Sequence, residues 1–409
     1  MGGQLRWVGD SELDVVARTR HRCYAGAQVQ LDKFMDGIRA DGRAKPGDFL
    51  LAEIDGEPVG TSTAISLQMR FGHVRVPCQG IAYVGTVKTH RRMGSSGEAG
   101  IATLLMHECL RVGRERGQVV SALMPFRASY YEHFGYGFCE HRTEWTIPMG
   151  ILPKGNGSGF RFFEDKDLPA LQRLREREVQ QYPCDIETSP EGWAFWKRFF
   201  SEGLMFVRPR GDGELESSAL ILDERDDKTG TARVADFSAE SDEALVRLLH
   251  FLGTLRDQYS AAVLTLPGDV PLNLLLKETQ IPHRQVDHPV ASARPFTRMQ
   301  MRVLDYPRFF ALLPARSGVK AQGVLEVIES AGPPVRLAVA AEDGKFHAEP
   351  TSRPVQVTLS DVSFASLVSG HFTAGQLLRW GKLSLQDAAA VPLLAAFGFD
   401  RLPFCQEYF

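Results

Sequence analysis

Apolar residues recur along this chain with two periods, and the switches between them set the expected elements. Residues 11–20 and 28–40 carry apolar positions at helical spacing and read as two short helices. Residues 49–54 and 59–66 read as strands around Asp55-Gly56-Glu57-Pro58, a turn, so the pair is a hairpin. A short strand at 71–76 precedes the apolar, β-branched run 81–87, a buried strand. Ile101, Leu104, Leu105, Cys109 and Val112 then place an apolar stripe on one face of a helix that ends at Arg116-Gly117. Residues 119–123 form the next strand, and this α+β unit closes near Trp145-Thr146-Ile147-Pro148.

Glycine, proline and polar residues dominate 149–159, which marks a linker. The following unit repeats the order of helices, meander, helix and strand. Its helix from Ser241 carries Ala244, Leu245, Leu248, Leu249 and Leu252 on one face, with no arginine-glycine loop before it. In the third unit, residues 323–330, 335–341, 346–349 and 355–360 alternate apolar and polar positions and predict a four-stranded antiparallel sheet. Helices follow from Asp361, Thr373 and Ser384. The divisions are 1–150, 151–297 and 298–409. In the tail 401–409, five of nine residues are apolar or aromatic, so it is expected to dock on the body.

At 409 residues the chain is long enough for two or three cores. Its 44% apolar and 24% charged residues are ordinary for a globular protein. A formal net charge of −3 supplies no basic excess for nucleic acid. No apolar run has the length of a membrane span, and the N-terminus lacks a signal core, so the expected location is cytoplasmic, without membrane partners. Cys23, Cys78, Cys109, Cys139, Cys184 and Cys405 are far apart with no Cys-x-x-Cys pair, which reads as free thiols and no metal.

Candidate chemistry concentrates at 84–106. A strand ending Val84-Gly85-Thr86 leads into Arg91-Arg92-Met93-Gly94-Ser95-Ser96-Gly97-Glu98-Ala99-Gly100, and a helix opens at Ile101-Ala102. Three glycines in seven residues let backbone amides approach a ligand, and the helix N-terminus with two arginines suits a phosphate or pyrophosphate. An ordinary strand-to-helix turn with surface arginines fits the same residues. Farther on stands Pro125-Phe126-Arg127-Ala128-Ser129-Tyr130-Tyr131-Glu132-His133-Phe134-Gly135-Tyr136-Gly137-Phe138.

The pairing of Arg-Arg-x-Gly…Gly-Ile-Ala with Tyr-x-x-Phe-Gly-Tyr-Gly-Phe resembles the GNAT acetyltransferases, and within them the Eis (enhanced intracellular survival) subgroup. The resemblance spans nearly the whole chain. It implies two tandem GNAT-like mixed α/β domains, the second degenerate, and a sterol-carrier-protein-like C-terminal α/β domain. It implies acetyl-CoA as co-substrate, held by Val84, Gly85, Thr86, Gly100, Ile101 and Ala102, with Phe126 and Arg127 beside them. It implies Tyr131 as general acid toward the leaving thiolate and the carboxylate of Phe409 as general base. The loop looks longer than the family's, which leaves two registers for the pyrophosphate. Either Arg92-Met93-Gly94 holds it, or Gly97-Glu98-Ala99-Gly100-Ile101-Ala102 does, with Arg91 or Arg92 reaching in. The second is preferred because Gly100 directly precedes the helix.

The expected reaction is N-acetylation of a primary amine by direct attack, on an aminoglycoside, a polyamine, an arylalkylamine or a protein lysine. A strand amide between Val84 and Val87 would polarise the thioester carbonyl. His90, His107 and His133 are alternative bases. Tyr130 is expected to point away from Tyr131 in extended chain. Asp32, Asp36, Asp41 and Glu53 would suit an acidic mouth but read better as solvated surface charge. The alternative function is a CoA- or lipid-binding module that has lost transferase activity. The resemblance also implies homo-oligomers, hexamers among them.

Overall fold

Asp55 and Gly56 both take positive φ, 52° and 80°. This is the two-residue turn whose twist matches a hairpin, and it joins Phe49–Ile54 to Glu57–Phe71 with Ile54 opposite Glu57. The computed structural model describes residues 4–25, 30–91, 100–225, 230–279 and 289–409. From that hairpin a seven-stranded sheet grows in the order Gln4–Val8, Phe49–Ile54, Glu57–Phe71, Val74–Thr86, Val120–Leu123, Gln300–Val303, Gly137–Phe138. The Val74–Thr86 and Val120–Leu123 strands are parallel. The crossover between them includes the helix Ile101–Glu115, which buries Leu105, Met106, Cys109 and Leu110.

The second sheet follows the same plan. Arg161–Phe162, Leu204–Pro209, Leu215–Arg225, Gly230–Ala239 and Ala261–Pro267 lie side by side. Its one parallel pair, Gly230–Ala239 with Ala261–Pro267, is bridged by the helix Asp242–Thr254.

The two sheets exchange strands. Arg142–Pro148, expected to close the first unit, pairs with Ala261–Pro267 and Ser292–Phe296 in the second sheet. Gln300–Val303, expected to open the third unit, pairs with Val120–Leu123 and Gly137–Phe138 in the first. Sheet membership therefore does not follow the divisions at 150 and 297. An apolar strand looks the same whichever sheet receives it, so periodicity is blind to the exchange.

The third sheet has five strands rather than four, in the order Lys345–Pro350, Val335–Glu342, Ala321–Ile328, Val357–Ser360, Leu383–Leu385. It is mixed rather than antiparallel, because Ala321–Ile328 and Val357–Ser360 run parallel. Alternation reports faces, not directions. Ser384, expected to open the last helix, lies in the short strand Leu383–Leu385, and the helical turns come later, at Ala388–Ala390 and Val391–Leu394. Phe309, Phe310, Phe346, Phe364 and Phe397 fill the interior, and Phe71 of the first sheet meets Phe309 edge-on at 5.5 Å, so one core runs through both units. Among the described residues no helix is long and apolar enough to cross a membrane. All six cysteines are buried and unbonded.

Candidate active site

The Val74–Thr86 strand does not run straight to its end. Thr61 faces Gly85 and Thr63 faces Ala82, so Tyr83 and Val84 together oppose one residue of the neighbouring strand. This is a bulge, which bends the strand and takes backbone out of the ladder. Tyr83 has φ 53°, an uncommon conformation for a non-glycine residue. The Arg20 guanidinium lies 3.8 Å from the centroid of its ring, and Tyr24 meets it edge-on at 6.3 Å.

Beyond the bulge stands the N-terminus of Ile101–Glu115. Gly100 is the N-cap and offers no side-chain acceptor. The amides of Thr103 and Leu104 turn back to the Gly100 carbonyl, and those of Ile101 and Ala102 are among the orphans of the first turn. The second unit differs here. Ser241 Oγ accepts from the Ala244 amide at 3.2 Å, and Asp242 and Glu243 occupy the first turn, which repels an anion.

A cavity of about 810 Å³ opens between the bulged strand and this helix end. It brings together Val84, Gly85, Thr86, Arg91, Gly100, Ile101, Ala102, Phe126, Tyr131 and Phe409. Arg127 does not join them. Its backbone is extended, φ −149° and ψ 109°, so it turns opposite to Phe126 and is exposed. Arg92, Gly97, Glu98 and Ala99 lie outside the described residues, and with them the choice between the two loop registers.

Tyr130 also lines the cavity, against the expectation from alternation. The segment Ala128–Glu132 is helical, so neighbours sit about 100° apart rather than on opposite faces. The Tyr130 and Tyr131 rings meet edge-on at 5.1 Å. Tyr131 is only 4% exposed. Burial, and then the neighbouring Tyr130, push its phenol pKa well above the ordinary value. His90 lines the cavity with Nδ1 2.9 Å from Thr89 Oγ1. His107 and His133 are exposed and stand outside the lining.

Sequence reasoning missed Tyr24, Phe34, Tyr83, Met124 and Tyr408 at this cavity. Tyr24 and Phe34 sit on the helices Leu13–Tyr24 and Leu31–Ala40, where no motif marks them. Tyr408 lies in the tail, whose apolar composition was the available signal.

The tail is held by arginines. Arg298 Nη2 donates to the carbonyls of Cys405, Gln406 and Glu407 at 2.8, 3.3 and 3.0 Å. Arg43 Nη1 donates to the Tyr408 carbonyl and to Glu407 Oε1, both at 2.6 Å. Glu407 also accepts from Thr188 Oγ1 at 2.6 Å and Trp196 Nε1 at 3.0 Å. Burial raises the Glu407 pKa despite these donors. The Phe409 ring reaches the sheet over Gly80, where a Cβ would come within 2.9 Å of Phe409 Cδ2.

Comparisons with known proteins point one way. Residues 4–139 match an acetyltransferase (GNAT) domain model, and residues 182–303 match a second model of the same description. An uncharacterized N-acetyltransferase of Streptomyces avermitilis is 27% identical over 369 residues, covering 83% of this chain and 82% of the relative. Among solved structures, a GCN5-related N-acetyltransferase from Anabaena variabilis aligns over 100% of both chains with TM-score 0.85 and 18% identity. Eis1 from Mycobacterium abscessus aligns over 100% of both chains with TM-score 0.79 and 20% identity. At those identities the structures speak for the fold.

Proposed function

The chain belongs to the GNAT acetyltransferases and takes its acetyl group from acetyl-CoA, and on that premise we propose that it N-acetylates a primary amine in the cavity between the bulged strand and the Ile101–Glu115 helix. The observation that carries the site is the convergence of Tyr131, Phe409 and the open amides of Ile101 and Ala102 on one cavity.

The pyrophosphate of the co-substrate sits at the helix N-terminus, where partial positive charge and the Arg91 guanidinium favour an anion. The acetyl arm runs along Val84, Gly85 and Thr86. A backbone N–H freed by the bulge faces the thioester oxygen and stabilises the charge that develops there. The amine nitrogen attacks the carbonyl carbon, and the C–S bond breaks as the tetrahedral centre collapses. The nitrogen loses its proton to the Phe409 carboxylate, and the departing sulfur takes one from the Tyr131 hydroxyl. Burial keeps Tyr131 protonated across neutral pH. A free thiol titrates near ~8.5, below a phenol raised by burial, so a fully formed thiolate would not draw the proton from Tyr131. The proton therefore moves together with C–S cleavage. The third unit, read as sterol-carrier-protein-like, serves a structural role, since aromatic rings fill its interior.

Thiol release from acetyl-CoA tests this reading. Tyr131→Phe is expected to lower kcat by about 10²–10³ while the KM for acetyl-CoA changes little. A chain lacking Phe409 should still bind acetyl-CoA and lose turnover. Full activity in either variant would remove that residue from the mechanism. Acetyl-CoA binding without thiol release by the unaltered chain, whatever the amine, would favour the CoA-binding module.

A further inference from the structure

Eight of the described residues lining the cavity are aromatic, and none is aspartate or glutamate. Its basic side chains are Arg91 and His90. Three carboxylates of the first unit and the tail are committed elsewhere. Asp41 Oδ1 pairs with Arg43 Nε at 2.7 Å, Glu407 Oε1 with Arg43 Nη1 at 2.6 Å, and Glu53 Oε1 with Arg6 Nη2 at 2.7 Å. Asp32 and Asp36 are exposed and stand outside the lining, although Phe34, on the same helix, lines it. From the two N-terminal helices and the tail, Tyr24, Phe34, Tyr408 and Phe409 join this lining.

An ammonium stripped of water needs a counter-charge or hydrogen-bond acceptors. Besides the pyrophosphate at the helix end, the mechanism above brings one anion to the reacting amine, the Phe409 carboxylate, and that matches one ammonium. Further cationic groups would lie against rings and near Arg91. Aromatic faces can hold a cation, but the Arg20 guanidinium already lies 3.8 Å from the Tyr83 ring centroid. A ring on the acceptor, in contrast, gains offset or edge contacts with this lining.

We propose that the acceptor is an arylalkylamine with a single amino group, selected by the aromatic lining formed by Tyr24, Phe34, Tyr408 and Phe409, which holds no carboxylate side chain among the described residues, and that polycations are discriminated against. The proposal rests on the acetyltransfer reading above and narrows its acceptor.

The test uses the full chain with saturating acetyl-CoA and reads thiol release with 2-phenylethylamine, tryptamine, spermine and kanamycin. The expected kcat/KM for the two aromatic amines exceeds that for the two polycations by at least about tenfold, the worth of one poorly matched contact. Tyr408→Glu places a carboxylate at a half-exposed position and should shift the ratio toward spermine by about threefold to tenfold. Equal or preferred use of spermine or kanamycin would overturn the proposal and leave the transferase reading intact. If no amine releases thiol, the transferase reading fails. Calorimetry on the CoA-saturated protein then decides the lining separately. Binding of 2-phenylethylamine but not spermine sustains the selectivity, and tighter binding of spermine, or binding of neither, overturns it.

Discussion

Gly80 shows how one missing side chain seats another. A Cβ there would run into Leu67 Cδ1 and stand 2.9 and 3.1 Å from two carbons of the Phe409 ring. Leu67 is flexible at its tip, but Phe409 belongs to a tail pinned through the backbone, so the ring has to leave. Gly80→Ala is expected to cost about 1–3 kcal/mol in urea unfolding. Thiol release should fall much further than that loss of stability explains, and normal turnover would show that the ring's seat is irrelevant to chemistry. Tyr131 was legible in the sequence because a motif surrounds it, and Phe126 because it stands beside that motif. Arg127 was misplaced because proximity in sequence ignores the extended backbone that separates neighbouring side chains. Tyr24 and Phe34 carry no local signal, and only the packing of Leu13–Tyr24 against the bulged strand, with Leu31–Ala40 packed on that helix, makes them part of the cavity.

Among the elements, the tail depends on groups from several others. Arg43 lies in the loop after Leu31–Ala40, Arg298 just before Gln300–Val303, and Thr188 and Trp196 in and beside the helix Pro190–Lys197. Arg43→Ala would leave Glu407 buried without its cation, at a cost of about 3–5 kcal/mol. Urea unfolding should register that loss, and acetyl-CoA affinity should stay near its original value, because the helix end that receives the pyrophosphate is separate. A small effect on stability would mean that Thr188 and Trp196 suffice for Glu407. Composition alone foretold that the tail docks. Its partners were not legible, since ion pairs hundreds of residues apart leave no local pattern. Strand direction in the third sheet was hidden for a related reason: alternation fixes which side is buried and nothing about pairing.

At the scale of the molecule, the third unit meets the chain between the first two sheets through a pair of stacked imidazoles. His371 and His141 lie 4.2 Å apart, with His371 Nδ1 3.0 Å from the Glu140 carbonyl and His141 Nε2 2.7 Å from the His371 carbonyl. Burial, and then His141, lower the His371 pKa to about 3. A free imidazole titrates near ~6.5, so on acidification the unfolded chain takes up this proton first. The stability contributed by neutral His371 is complete above about 6.5 and is lost as pH falls toward 3. Glu178 and Asp236, raised by burial to about 7 and about 6, tilt the other way, since the folded chain holds their protons and loses stability as pH rises through those values. The informative quantity is therefore a difference. Between pH 6.5 and 4.5, His371→Gln should lose less thermal stability than the unaltered protein (, a window of roughly two units), and parallel curves would assign the acid response elsewhere. The strand exchange has a consequence of another kind. Each half of the pair completes its neighbour, so a protease cut within 149–159 would leave two pieces still clasped, and neither piece made separately would own the whole of either exchanged sheet. A second unit with its helix end closed to anions looks dispensable to selection, yet deleting 151–297 would strip Arg142–Pro148 of both its strand partners. Lineages can let its chemistry decay but have to inherit its backbone.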